Sequence, residues 1–312
     1  MTPLADHRLR NFVHSALLLG GMALITWISI AASIGPAAGL WALAGIGFGL
    51  AIAPRAPKSW TLALYRARPV SEQSFPAGIG MVRQLARDAE LPRVPALFYI
   101  PSSVPNAFAV GSAHDSAIAV SDGLLRRLNR RELFGVLAHE VSHVANRDLW
   151  LMSLADVMAR MTGLACFVGL VLLMLNLPLV LMGVAPVSWL AIAVMILSPT
   201  VISLMQLGLS RSREFDADLT AARLTGDPAG LASALEKIAG RPGGLWASIF
   251  MPVQRTPDPS LLRTHPPTEE RIRRLSALVP RQPVPETVIA EPGFSGPIIV
   301  GRPRWHRTGV WF

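Results

Sequence analysis

The sequence predicts a mostly α integral membrane protein, with about four transmembrane helices and a polar α+β domain containing a small sheet. Three observations carry this. Of 312 residues, 51% are apolar and only 16% charged, and mean hydropathy is +0.42. The 44 residues from Asn11 to Pro54 and the 50 from Met161 to Ser210 contain no Asp, Glu, Lys or Arg. A water-soluble core does not need charge-free runs of that length. The basic residues also gather at the ends of these two runs.

A 44-residue helix would be about 66 Å long at ~1.5 Å per residue, twice the ~30 Å hydrocarbon core of a bilayer. Each run therefore reads as two spans. The first breaks at Gly35-Pro36 into spans near Phe12–Ile34 and Ala37–Ala53. The second breaks between Gly183 and Pro186 into spans near Thr162–Met182 and Val187–Leu209, though a re-entrant helical pair reads the same way. Pro178 and Pro199 kink these two helices, which neighbouring helices accommodate. Arg8 and Arg10 precede the first span, Arg55, Lys58, Arg66 and Arg68 follow the second, and Arg160 precedes the third. Arg211 and Arg213 follow the fourth, and the opposite connections are uncharged. Both termini and all the charged sequence are thus expected in the cytoplasm, with the lipid bilayer as partner.

The net charge of +9 does not indicate nucleic acid, because the basic residues sit at span ends and no nucleic-acid motif accompanies them. Arg8 and Arg10 before an apolar stretch can also open a signal peptide, but this apolar region is long and a second span follows, so an uncleaved anchor is expected. The single cysteine, Cys166, excludes a disulfide framework and a Cys-based metal site.

The expected organisation is a helical pair over 1–54, a first polar segment over 55–160, a second membrane pair over 161–210, a second polar segment over 211–278 and a Pro-rich tail over 279–312. In the first polar segment a short helix reads from Ile79 to Ala89. Strand-like runs follow at Ala96–Ile100, Ala107–Val110 and Ala117–Ser121. Next comes a helix that Asn129 caps, with Glu132 three residues on and Leu133, Phe134, Val136 and Leu137 supplying its apolar face.

On that helix, His139-Glu140-Val141-Ser142-His143 puts two imidazoles one turn apart on one face, the spacing that grips one zinc ion. The competing reading is a pair of surface histidines. Glu140 stands where a carboxylate can take a proton from an attacking water. A catalytic zinc needs a third protein ligand and an open position. The positions three and six after His143 are Asn146 and Leu149, which excludes a third histidine at the metzincin spacing. Glu214 and Asp218, one helical turn apart, suit a ligand and an acceptor for an imidazole N–H. Alternatively both carboxylates neutralise Arg211 and Arg213 on a solvated face.

Taken in order, Asn106-Ala107-Phe108-Ala109, Ala119-Val120-Ser121, Leu137 to His143 with Asn146-Arg147-Asp148, Ser212 to Asp218, and Thr264-His265-Pro266-Pro267 with Arg271-Ile272 resemble the HtpX family of membrane-bound zinc metallopeptidases. That family is related to the CAAX prenyl proteases. The resemblance runs from the first span to about Leu278 and implies a zincin-like peptidase domain holding one Zn2+ per chain. It implies endopeptidase action on membrane or unfolded polypeptides, and quality control under stress in the bacterial inner membrane. It also implies that His265 and Arg271 face the scissile carbonyl, where they would stabilise the oxyanion. From the residues alone these two read as a turn histidine and a solvated helix face. Likewise it implies that Asn106, Ala107, Phe108 and Ala109, together with Ala119, Val120 and Ser121, form an edge that binds substrate as an added strand, against a plain core strand.

Two other classes fit parts of the pattern. A site-2-type intramembrane protease places the same motif within a span, whereas here Arg130, Arg131, Arg147 and Asp148 flank it. A non-catalytic zinc scaffold normally closes its site with four protein ligands and would leave Glu140 without a role. Gly240–Pro259 reads as a flap or a loop, and the mix of Arg with Trp305, Trp311 and Phe312 in the tail suggests contact with the membrane surface.

Overall fold

The structure is a computed structural model that describes residues 3–52, 58–182, 188–239 and 268–278. The chain forms two compact units, one from Met1–Pro54 with Leu151–Ser212, the other from Arg55–Trp150 with Arg213–Phe312. Neither the expected flap nor the Pro-rich tail falls within the described residues.

In the first unit, α1 (Pro3–Ile34) and α2 (Pro36–Ile52) pack as a hairpin. The break falls at Gly35, whose φ of +118° is closed to most side chains, and Pro36 opens α2 where its missing N–H costs no hydrogen bond. The Trp27 indole donates to the Pro36 carbonyl (3.3 Å), pinning the corner.

By length and hydropathy, three helical stretches among the described residues can cross a membrane: Val13–Ala32, Asp148–Asn176 and Trp189–Thr225. The fourth expected span, Ala37–Ala53, corresponds to α2, of which 17 residues, Pro36–Ile52, are described. The other two helices are longer than their apolar parts. Helix α7 (Asp148–Leu181) starts well before Thr162, and α8 (Trp189–Thr225) runs past Leu209 through Glu214 and Asp218. The expected break at Gly183–Pro186 lies outside the described residues.

Packing in this unit differs from that of a water-soluble core in leaving many large apolar side chains outside as well as inside. Leu17, Leu164, Phe167, Leu175, Leu190 and Leu204 point outward, while Ser15, Thr26, Ser29, Thr162 and Ser198 are buried. Thr26, Ser29, Thr162 and Ser198 donate their hydroxyls to carbonyls three or four residues back (2.8–3.1 Å). Small self-satisfied side chains inside and large apolar ones outside are the arrangement lipid selects.

In the second unit a four-stranded sheet has the order β1-β2-β4-β3. Strands β1 (Arg68–Pro69) and β2 (Ala96–Ile100) are antiparallel, β2 and β4 (Asp115–Ser121) parallel, and β3 (Ala107–Ser112) and β4 antiparallel. The short helix α3 (Lys58–Leu64) packs Leu62 against β3 and β4 with Tyr65 beside it, and α4 (Pro76–Asp88) packs on β2. Ser121 ends β4 and caps α5 (Asp122–Arg127) by accepting from the Leu124 N–H.

At the centre lies α6 (Arg130–Ala145), buried from Glu132 to Val144. The capping box forms as the sequence suggests, with Asn129 Oδ1 accepting from the Glu132 N–H (2.9 Å) and Glu132 from the Asn129 N–H (2.8 Å). The buried Glu132 carboxylate also accepts from Ser233 (2.7 Å) and Lys237 (2.8 Å) on α9 (Pro228–Ala239), which ties the two helices together. Gly135 lets them touch, since a Cβ there would stand 3.0 Å from the Leu231 nitrogen. The last described helix, α10 (Thr268–Ser276), packs on α9 with Leu275 in the core.

Candidate metal centre

A helix buried on nearly every side has no water to satisfy polar side chains, so each polar group on α6 needs a partner within the protein. His139 and His143 find theirs in three carboxylates, Glu214, Asp218 and Asp148. Their Nε2 atoms stand 3.1 Å apart, with the rings edge-on at a centroid distance of 4.7 Å. From α8, Glu214 Oε2 lies 3.5 Å from His139 Nε2, and Oε1 lies 3.6 Å from His143 Nε2. The ligand atoms of these three residues all lie within 4.8 Å of one another, so together they can hold a metal ion. Glu214 is only 2% exposed and Asp218 only 4%, which excludes the solvated ion-pair face open to them on sequence alone.

The outer nitrogens are also occupied. Asp218 Oδ1 lies 3.0 Å from His139 Nδ1, and Asp148 Oδ2 lies 2.8 Å from His143 Nδ1. With each Nδ1–H directed at a carboxylate, both Nε2 lone pairs turn inward towards Glu214. Two lone pairs facing each other at 3.1 Å repel unless a cation joins them. Two bonds of ~2.05 Å from a tetrahedral ion would put the nitrogens about 3.3 Å apart, close to that spacing.

The charges agree with a bound cation. The buried groups of the cluster include four carboxylates (Glu140, Asp148, Glu214, Asp218) and two guanidiniums (Arg213, Arg271). With neutral imidazoles the cluster is net negative, and a bound cation offsets charge that a dry medium penalises heavily. The field at His139 points the same way. Burial pushes the imidazole pKa down, but Asp218 and Glu214 outweigh it and lift the value to about 10, so positive charge is favoured at this spot. His143 is raised too, against burial, chiefly through Asp148.

Arg271 enters from α10, and its guanidinium grips Asp218 with two bonds of 2.7 Å, from Nε and Nη2, while Nη1 stands 3.1 Å from Glu214 Oε2. Burial would lower its pKa, but Asp218, Glu214 and Glu140 hold it firmly charged. The residue is thus not a solvated cation. Its donors are directed at the site's own carboxylates. His265 lies outside the described residues.

The substrate-edge expectation divides. Ala119, Val120 and Ser121 lie in β4, which pairs with β2 on one side and β3 on the other, so they have no open edge for an added strand. Ser121 is further engaged by the N–H groups of Asn106 and Leu124. Asn106 to Ala109 lead into and form β3, an edge strand among the described residues. The Ser121 N–H donates to the Asn106 carbonyl and the Asn106 N–H to Ser121 Oγ, so Phe108 also turns its backbone towards β4 while Ala107 and Ala109, both buried, turn theirs away from it.

Sequence reasoning brought together His139, Glu140, His143, Glu214 and Asp218 but missed the site contacts of Asp148 and Arg213. A carboxylate five residues after His143, just beyond the helix end, was the available signal. The motif stands on α6, which is not one of the membrane-crossing stretches.

Comparison with known proteins accords with this geometry. The sequence pattern of Peptidase family M48 matches residues 79–279. The "Protease HtpX homolog" of Methylibium petroleiphilum is 38% identical over 239 residues, covering 71% of this chain and 81% of its own length. That of Syntrophobacter fumaroxidans is 37% identical over 295 residues, covering 86% and 99%, and that of Pyrococcus abyssi 39% over 237, covering 70% and 78%. Among solved structures, the crystal structure of S. mikatae Ste24p covers 88% of this chain and 66% of its own, at 18% identity and a TM-score of 0.44. A match over most of the chain, carrying the buried His-Glu cluster and the apolar helices with it, shows that this chain belongs to peptidase family M48 and is an HtpX-type membrane metalloprotease.

Proposed function

We propose that the ion is zinc and that the chain is an endopeptidase cleaving misfolded or damaged membrane proteins at the cytoplasmic face of the bacterial inner membrane, as part of the response to stress. The observation that carries the chemistry is the inward-facing triangle of His139 Nε2, His143 Nε2 and a Glu214 oxygen, with Glu140 on the same helix turn. Three protein ligands leave one position open, as in catalytic rather than structural zinc sites.

When bound, zinc polarises the substrate carbonyl and makes the attacking water more acidic. Glu140 takes the proton from that water and returns it to the departing amine. Asp218 holds His139 in the tautomer that leaves Nε2 free. Arg271 acts through its partners as a positioning residue, keeping Asp218 and Glu214 in place while offsetting their charge. The family resemblance supports His265 as the remaining donor to the oxyanion. The unpaired edge of β3, at the backbone of Ala107 and Ala109, is the side on which strand addition would place a substrate, a mode that reads main chain rather than side chain and suits a protease of unfolded segments. The clustering of basic residues at the ends of the apolar runs supports the cytoplasmic side.

The deciding experiment is cleavage of an unfolded protein by the detergent-purified chain and by Glu140→Gln, with zinc counted in both. Glu140→Gln is expected to retain about one zinc while activity falls about 10²- to 10⁴-fold. Undiminished cleavage by the variant overturns the role of Glu140. Bound zinc with no cleavage by wild type favours a scaffold.

A further inference from the structure

Both imidazoles of the cluster are backed by the same chain of groups, arginine to aspartate to histidine. For His139 it is Arg271–Asp218. For His143 it is Arg213–Asp148, with Asp148 Oδ2 2.8 Å from His143 Nδ1 and Asp148 Oδ1 3.6 Å from Arg213 Nη1. Asp148 is wholly buried and Arg213 nearly so. A buried carboxylate costs several kcal/mol unless hydrogen bonds and opposite charge compensate it. Asp148 has both, from two different helices.

The backbone is bent to make this contact. Arg147, between the end of α6 and the start of α7, takes a left-handed φ of 58°, a conformation unfavourable to an L-residue. That turn lets Asp148, only five residues beyond His143, fold back onto the ring. On the other side, Arg213 directly precedes Glu214 and is held along α8 by Asp216 (2.7 Å).

We infer that Asp148 and Arg213 form a second positioning pair for the metal centre. Asp148 fixes the tautomer and angle of His143, and Arg213 draws the start of the Glu214 segment onto Asp148, which sets the third ligand opposite the two imidazoles. The pair rests on the zinc reading above and adds to it the residues that bring α6, α7 and α8 into register at the ion.

The test uses the full chain in detergent as wild type, Asp148→Asn, Asp148→Ala, Arg213→Gln and the Asp148→Asn/Arg213→Gln double variant. Three readouts apply: Zn2+ affinity by competition with a chromophoric chelator, the visible spectrum of the Co2+-loaded protein, and the thermal midpoint of the metal-free protein. Wild type is expected to hold one zinc. Asp148→Asn keeps an acceptor for the Nδ1–H but loses the charge, and is expected to weaken Zn2+ binding about tenfold. Asp148→Ala is expected to weaken it up to about a hundredfold, with a shifted Co2+ spectrum. Arg213→Gln is expected to weaken binding too, and the double variant to lose less than the product of the single losses, because each acts through the other.

A lowered midpoint with wild-type affinity and spectrum marks Asp148 as merely structural and overturns the inference, as do independent losses in the double variant. If Asp148→Ala does not fold, the isosteric Asp148→Asn decides alone, and unchanged affinity and spectrum in it overturn the pair. A wild type that holds no zinc sinks the zinc reading itself, and this inference with it. Bound zinc with an indifferent Asp148→Asn sinks only the pair.

Discussion

The two units differ in the polar groups they bury and in what they leave outside. In the unit of Met1–Pro54 and Leu151–Ser212, buried polar groups are mostly small hydroxyls, several bonded to their own helix, and many large leucines face outward. In the unit of Arg55–Trp150 and Arg213–Phe312, leucines and valines fill the core and six charged side chains are buried together around two histidines. The difference follows from the surroundings. Hydrocarbon gives no reward for hiding leucine and no means to solvate a stray dipole, so each helix satisfies itself. Water rewards hiding leucine, and the dry interior so created makes electrostatics strong enough to bind an ion.

The comparison breaks most sharply at Glu214. Glu214→Ala removes a ligand and leaves Arg271 and the imidazoles short of negative charge, so metal content is expected to fall below one per chain and peptidase activity by at least about 10³-fold. Retained metal and activity would mean that the cluster is structural. Next in size is a matched pair of leucine truncations. Leu137→Ala, in the core of α6, is expected to cost about 2–5 kcal/mol of unfolding free energy. Leu204→Ala, with Leu204 at 63% exposure on an apolar helix, is expected to stay within about 0.5 kcal/mol. Comparable losses from both by chemical unfolding in detergent would erase the distinction between the units.

Smaller again is Gly135→Ala. Alanine favours a helix by roughly 1 kcal/mol, but its Cβ would crowd the Leu231 backbone, and overpacking of this kind typically costs 1–3 kcal/mol. A net loss of about 1 kcal/mol, read as a lower thermal midpoint, is expected, and a rise would show that α6 and α9 can separate freely.

The smallest effect concerns Glu132. Burial raises its pKa, but Lys237, Ser233 and the Asn129 N–H outweigh that and hold it below the ordinary glutamate value. A lowered folded pKa contributes stability that is present above the unfolded value and is lost as pH falls through the folded one. The thermal midpoint of wild type is therefore expected to drop in acid below the usual glutamate range. Glu132→Gln should flatten that part of the profile, and an unchanged profile would remove Glu132 from the acid response.

Much of the fold and site was legible because the information is local. Long charge-free runs reveal helices that meet lipid, and Asn129 with Glu132 marks a helix start within four residues. The His139–His143 and Glu214–Asp218 spacings each place two side chains on one helical face without knowledge of anything else. The misreadings are non-local. That β4 is interior and β3 the edge depends on which strands find each other, and nothing within Ala117–Ser121 records its neighbours. The burial of Arg271 against Asp218, 53 residues away, depends on where α10 docks.

By itself, then, the sequence determined which stretches avoid water, where α6 begins, and that two histidines and a glutamate of the right kinds lie on helical faces, because helix geometry and hydropathy act over a few residues. The tertiary structure alone decided that those faces meet, that Arg213 and Arg271 stand behind the carboxylates instead of in solvent, and that Asp148 turns back onto His143. Close approach of charges in a dry interior is settled by packing between distant segments, and only there are such contacts strong enough to define a site.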